Sequence, residues 1–338
     1  MSAASKAFRE NLPHGSAPRS PQARSRRAFV PVLAGALAAC RRESRKLIGV
    51  VPQGRTHLFW QSIHAGAIAA ARESGVEILW NGPATETDYN GQLQIVDAMI
   101  NRRVDALCLS PIDRKALAGY VERAVRQGIP VVIFDSGIES DLYTSWVATD
   151  NHAGGRIAAE RIGEITGGKG KIAMVCGVPG VASTLAREQG FEGLIGARFP
   201  GIRIADKRFG YSDYARSLAL AENILTAIPD LDAIFAVNEG ATVGTVRALK
   251  SRRSGVRLVG FDWSPDLISE LQSGVVDSLV AQDPFRIGYL SVQSAALALK
   301  KQPVEKEQKL PARLIRKEDL ERPEIRQLLN PDLKKYLG

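Results

Sequence analysis

"VDALCLSPID" (Val104–Asp113) and "LDAIFAVNEG" (Leu231–Gly240) are two versions of one pattern: an aspartate, a buried-type apolar run, then a polar turn. A second matched pair follows, "GIPVVIFDS" (Gly128–Ser136) and "GVRLVGFDW" (Gly255–Trp263). Asp105 and Asp232 lie 127 residues apart, and so do Asp135 and Asp262. One offset kept through two strands and the helix between them implies duplication of a whole folding unit. The chain therefore reads as two similar α/β units.

Working outward, the same alternation covers the chain from Lys46. "LIGVV", "VEILW", "KIAMVCG" and "VVDSLVAQ" are further strand-like runs. Between them lie Ala-rich segments such as "QSIHAGAIAAARESG" and "ALAGYVERAVRQG", with apolar spacings of three and four and a terminal glycine. Near-continuous apolar strands alternating with helices predict doubly wound parallel sheets covered on both faces. A strand ending near Thr149 is expected to carry the chain from the first unit to the second, ahead of "DNHAGGRIAAERIG".

The front of the chain is different. In "SRRAFVPVLAGALAACRRESRK" (Ser25–Lys46) the apolar run Ala28–Ala39 has 12 residues, whereas a membrane-spanning helix needs roughly 20. The basic–apolar–small order fits an export signal over residues 1–39. "SRRAFV" resembles a twin-arginine export motif, and "LAAC" resembles a bacterial lipobox with Cys40 as the lipidated residue. Residues 40–46 would then be a tether, and the expected location is the periplasm, anchored to a membrane. The net charge of +9 belongs mostly to this front: residues 1–46 hold ten Lys and Arg against Glu10 and Glu43, leaving about neutral the part that folds. That removes the case for a nucleic-acid partner. Cys108 and Cys176 fall in separate apolar strands, and His57, His64 and His152 show no ligand spacing, so neither a disulfide nor a metal or other cofactor is expected.

In open parallel sheets ligands bind beyond the carboxyl ends of the strands. Asp135, Asn238, Asp262 and Gln282 each stand where a strand stops. A polar residue there can also cap the next helix, a reading close in weight for Asn238, while Gln282 can instead satisfy backbone at a crossover; Ser264 before Pro265 is a better cap than Asp262. Arg187 falls early in a helix starting near Ser183, where a cation opposes the helix dipole, so it is better explained by carboxylates across a cleft. "HLFWQ" places His57, Phe59 and Trp60 at the entry to a long helix, with one ring expected in the core and the other at the cleft. Aromatic walls opposed by fixed polar groups suit a monosaccharide, which has C–H faces and a rim of hydroxyls.

Taken together, "IPVVIFDS", "VATDNHAGGRIAAERI", "LAREQGF", "AIFAVNEGATVGTVRAL", "LVGFDWSPD" and "VAQDPFRIG" resemble the periplasmic sugar-binding proteins of ABC importers, of the ribose-binding type. The resemblance spans about Leu47 to Ile315. It implies the type I periplasmic binding protein fold: two lobes, 47–149 with 283–309 and 150–282 with 310–318, joined by crossovers near Asp150, Gln282 and Leu310. It also implies Asp135, Arg187, Asn238, Asp262 and Gln282 as polar ligands and Phe59 and Trp60 as aromatic walls. The chain departs from the ribose pattern at His57 (asparagine there), Ser136 (arginine) and Ser212 (an aromatic, for which Tyr211 or Tyr214 can substitute); Trp263 is also unusual. Residues 319–338 extend past the common core as a helical segment. The implied function is capture of a small sugar or polyol by a monomeric binding protein for an ABC permease, or its presentation to a membrane sensor.

Other classes fit less well. As a glycosidase pair Asp135 and Asp262 would come from different lobes of a hinged cleft, which positions them poorly. "GEITGGKGK" has Gly170 after Lys169 and precedes a strand, so it fails as a phosphate loop. A sugar-responsive repressor would need a helix-turn-helix where the export signal stands.

Overall fold

The computed structural model describes residues 45–338. The export and lipobox readings, Cys40 included, lie outside the described residues. From the front, β1 (Leu47–Val51), α1 (Leu58–Ser74), β2 (Glu77–Trp80), α2 (Tyr89–Asn101), β3 (Ala106–Leu109), α3 (Ala118–Arg126), β4 (Val131–Phe134) and β5 (Ser145–Thr149) alternate. The second series is α4 (Asn151–Thr166), β6 (Lys169–Cys176), α5 (Ala182–Arg198), β7 (Gly201–Phe209), α6 (Tyr214–Ala227), β8 (Ala233–Ala236), α7 (Glu239–Arg252), β9 (Arg257–Phe261), α8 (Pro265–Ser273) and β10 (Ser278–Ala281). The chain then returns through α9 (Pro284–Leu299) and β11 (Glu307–Leu310), crosses to β12 (Arg313–Arg316), and ends in α10 (Pro323–Leu329) and α11 (Leu333–Leu337).

The sheets have strand orders β11-β5-β4-β3-β1-β2 and β12-β10-β9-β8-β6-β7. Each strand of one has its equivalent in the other. The duplication seen at two strand pairs therefore runs through both six-stranded sheets: β3 and β8, like Phe134 and Phe261, keep the 127-residue offset. The outermost pair breaks the symmetry, since β11 runs parallel to β5 and β12 antiparallel to β10. Each sheet is apolar on both faces. The first is packed under α1 and α9 on one side and under α2 and α3 on the other; the second lies between α4–α5 and α7–α8.

Local chemistry sets the element boundaries. Asp150 caps α4 through Ala153 N–H, and Ser264 caps α8 ahead of Pro265. α1 and α4 stop at Gly75 and Gly167, both left-handed. β7 is an edge strand, charged and half-exposed along most of its length, and so lacks the apolar run that marks its neighbours. The C-terminal segment forms two short helices instead of one, because Asn330-Pro331 ends the first.

Candidate functional site between the strand tips

Asp135 and Asp262 directly follow β4 and β9, and both have left-handed backbone, with φ of 57° and 69°. Aspartate is one of the few non-glycine residues that visits this region readily. The turn lifts each carboxylate off the end of its sheet. Around Asp262 the contacts are dense: Gln282 Nε2 donates to Oδ1 at 2.7 Å, the Glu239 N–H donates to Oδ2 at 2.8 Å, and Arg187 Nη1 lies 4.0 Å from Oδ2. Gln282 accepts from Thr149 Oγ1 at 2.6 Å, tying two crossover strands together. Asp135 has one side-chain hydrogen bond, from Ser110 Oγ at 3.3 Å.

Arg187 is 2% exposed. Its Nε donates to Asn151 Oδ1 at 2.8 Å, its Nη1 to the Val237 carbonyl at 2.9 Å, and its guanidinium stacks on Phe261 with 3.8 Å to the ring centre. α5 reaches this depth because it packs backbone to backbone on α4. A Cβ at Gly155 would stand 2.0 Å from the Arg187 carbonyl oxygen. Burial raises Asp262 and lowers Arg187 from their ordinary values, each partly offset by the other. Burial likewise pushes Asp135 up to about 7; Arg187 opposes this, and Glu86 and Asp262 add to it.

A second group of charges adjoins the first. His57 Nδ1 lies 3.0 Å from Glu86 Oε1, and Trp60 Nε1 donates to the same oxygen at 2.8 Å. Burial works against a charged imidazole, but Glu86 by charge and hydrogen bond, helped by Glu239 and Asp262, raises His57 to about 9. Glu239 crosses from the second lobe to the first: it accepts from the Leu58 and Phe59 N–H groups at 3.2 and 3.0 Å, at the start of α1. Its Oε1 also accepts from Tyr214 Oη at 2.8 Å. A carboxylate at a helix N-terminus is held by the free N–H groups and the helix dipole.

Other contacts also close the lobes on each other. Ser183 N–H donates to Ser136 Oγ at 3.1 Å, and Ile112 packs with Val178 and Val181. Phe59 and Trp60, edge to face at 5.0 Å, both pack in the first lobe's core, and Phe59 also faces Asp262, Trp263 and Gln282 across a gap too narrow for a water molecule. Trp263 packs in the second lobe's core. Asn238 caps α7: its Oδ1 accepts from Ala241 N–H, while its amide donates to Ser212 Oγ. Tyr211 is 40% exposed and stacks with Arg216, outside the cluster; Tyr214, with its ring 5.1 Å from that of His57, is the tyrosine brought in.

Glu86 and Glu239 are the charged members that the sequence reading did not name. Glu86 was within reach, since it follows β2 and the strand-tip rule applies there too. Among the described residues no group of three or more His, Cys, Asp or Glu side chains is placed to hold a metal ion, and no helix is long and apolar enough to cross a membrane. Cys108 and Cys176 are free and buried in β3 and β6.

Comparison with known proteins gives a consistent result. The family model for the periplasmic binding protein domain matches residues 48–303. A ribose import binding protein of Bacillus subtilis is 30% identical over 267 residues, covering 79% of this chain and 86% of the relative. Among solved structures, a carbohydrate-transporter solute-binding protein of Agrobacterium radiobacter in complex with D-arabinose superposes with a TM-score of 0.82 at 30% identity, covering 85% of this chain and all of the other. An ABC-transporter solute-binding protein of Agrobacterium vitis with bound D-fucose gives 0.82 at 32% identity, covering 84% and 100%.

Proposed function

Because the chain belongs to the periplasmic binding protein family, we propose that it is the solute-binding component of an ABC importer, capturing a small sugar or sugar-like polyol between its lobes. The observation that carries this reading is the convergence of Asp135, Arg187 and Asp262, from three different elements and both lobes, into one buried cluster. Such groups, fixed by their own hydrogen bonds, are suited to exchange bonds with hydroxyls: carboxylates accept, guanidinium and imidazolium donate. The relatives import or bind ribose, arabinose and fucose, which supports a ligand of that size.

The reading includes hinge closure. Glu239 on the start of α1 and Ser183 on Ser136 are bonds that exist only while the lobes are together, so ligand exchange requires them to break. The chemistry is binding without a catalytic step. Export through residues 1–39 and lipid attachment at Cys40 would hold a monomeric protein near its permease. Replacing Cys40 with serine should release the exported protein from the membrane fraction.

The test is a thermal-shift screen of pentoses, hexoses, deoxysugars and inositols together with their amino derivatives. A ligand that binds only the folded state raises the melting temperature, by mass action. An unmoved melting temperature across the set would refute the reading. With a ligand in hand, Asp262→Ala should abolish the shift.

A further inference from the structure

Six ionisable side chains face one another in the cleft: carboxylates Glu86, Asp135, Glu239 and Asp262, against Arg187 and His57. Glu86 is matched by His57 at 3.0 Å and Asp262 by Arg187 at 4.0 Å. Glu239 has the two α1 N–H groups and Tyr214. Among the described residues Asp135 has one side-chain hydrogen bond, from the Ser110 hydroxyl to Oδ2, the fewest of the four carboxylates. The next residue, Ser136, brings no charge and is itself engaged by Ser183 N–H. Arg247 lies over the Tyr214 ring but is exposed.

A buried set of four carboxylates against two cations is costly unless something neutralises it. One remedy is proton uptake, and burial pushes Asp135, Glu239 and Asp262 alike in that direction. A metal ion is a poor remedy, for want of converging ligands among the described residues. The remaining remedy is charge on the ligand. An ammonium group supplies three donors and one positive charge in a small volume, and Asp135, with the fewest hydrogen bonds of the four, is the carboxylate left to accept from it.

Resting on the sugar-binding reading, we propose that the ligand is a cationic sugar or polyol, an amino sugar or aminocyclitol whose ammonium group is held by Asp135. The hydroxyls of the same ligand are left to Asp262, Arg187 and His57. An amine adds a charge-assisted bond that a hydroxyl at the same position does not make.

The experiment is titration calorimetry on the protein with matched ligands: D-glucosamine and D-galactosamine, each against its parent hexose and its N-acetyl derivative, and an aminocyclitol against inositol. The proposal expects at least one amine to bind about tenfold or more tightly than both uncharged partners, from the usual gain of a charged over a neutral hydrogen bond. An uncharged sugar, in these sets or among the pentoses, that binds as well as or better than every amine overturns the proposal and leaves the sugar-binding reading standing. Binding by no compound, charged or uncharged, overturns both. Asp135→Asn is the companion variant, since asparagine also accepts the left-handed backbone. In it the preference for the amine should fall to near parity with the parent compound; retention of the full preference would also refute the assignment, and a circular-dichroism melt checks that the variant is folded.

Discussion

Removing the buried His57–Glu86 pair should flatten the alkaline stability profile of this protein. The perturbation is the double variant His57→Gln, Glu86→Gln, which keeps hydrogen-bonding groups and deletes both charges. His57 is raised from 6.5 to about 9 in the folded chain. Its folded value lies above its unfolded one, so its contribution is fully present below the unfolded value and is lost as pH rises through the folded one. Integrated between about pH 7.5 and 9.5, that loss is about 2 kcal/mol in the wild type. Two other effects share the pH range. Cys108 and Cys176 are buried and their thiols are pushed far up, so deprotonation of the unfolded chain costs stability above about pH 8.5. Both cysteines remain in the double variant, so the difference between the two proteins removes them. Asp135 titrates near 7 and is largely ionised across the window. The assay is urea unfolding followed by tryptophan fluorescence at several pH values. The wild type should lose about 2 kcal/mol more than the variant over the window. Parallel profiles would refute the buried imidazolium, and with it one of the two cations in the charge argument above.

Other expectations follow from the same geometry. Gly155→Ala puts a Cβ 2.0 Å from the Arg187 carbonyl; it should destabilise the chain by about 1–3 kcal/mol and abolish the thermal shift given by any ligand of the wild type. Glu239→Gln weakens the bonds from the second lobe to the α1 N-terminus; ligand affinity measured by calorimetry should fall about five- to thirtyfold, the difference between charged and neutral acceptors, chiefly through faster dissociation. Deleting residues 330–338 removes α11, which sits on the first lobe with Tyr336 5.6 Å from Phe285 and 5.4 Å from Arg72, while α10 buries Ile325 in the second. This strap should limit lobe opening, so small-angle scattering should report a larger radius of gyration without ligand; an unchanged radius would make α11 a passive cover.

The duplicated offset made the fold legible because it records two things at once: which runs are strands, and that they sit in equivalent places. The strands that escaped notice are those whose burial is incomplete. β11, "EQKL", is polar and half-exposed, and its place at a sheet edge follows from the return of the chain, which no local pattern announces. The site was legible where a side chain's place follows from its own strand, as for Asp135 and Asp262. It was least legible where the role depends on the other lobe. Glu239 reads locally as a favourable acid in the first turn of α7, yet its carboxylate is spent on α1, 180 residues away in sequence. Tyr211 and Tyr214 are three residues apart at the start of one helix, and only the turn geometry, with Tyr211 and Ser212 both left-handed, decides which ring turns inward. Asn238 shows the converse: a strand-tip residue whose side-chain oxygen is used to start the next helix, so position alone does not separate a ligand from a cap. What the two lobes share is therefore the frame, and what distinguishes this cleft is the unequal pair of additions to it: Glu86 with His57 on one side, Glu239 with Tyr214 on the other. Glu239 stands inside the repeated stretch, opposite Ile112 at the same 127-residue offset, and breaks the duplication in residue type, not in place. The charge balance of the cleft, and so the kind of ligand it admits, is set by the residues that break the duplication.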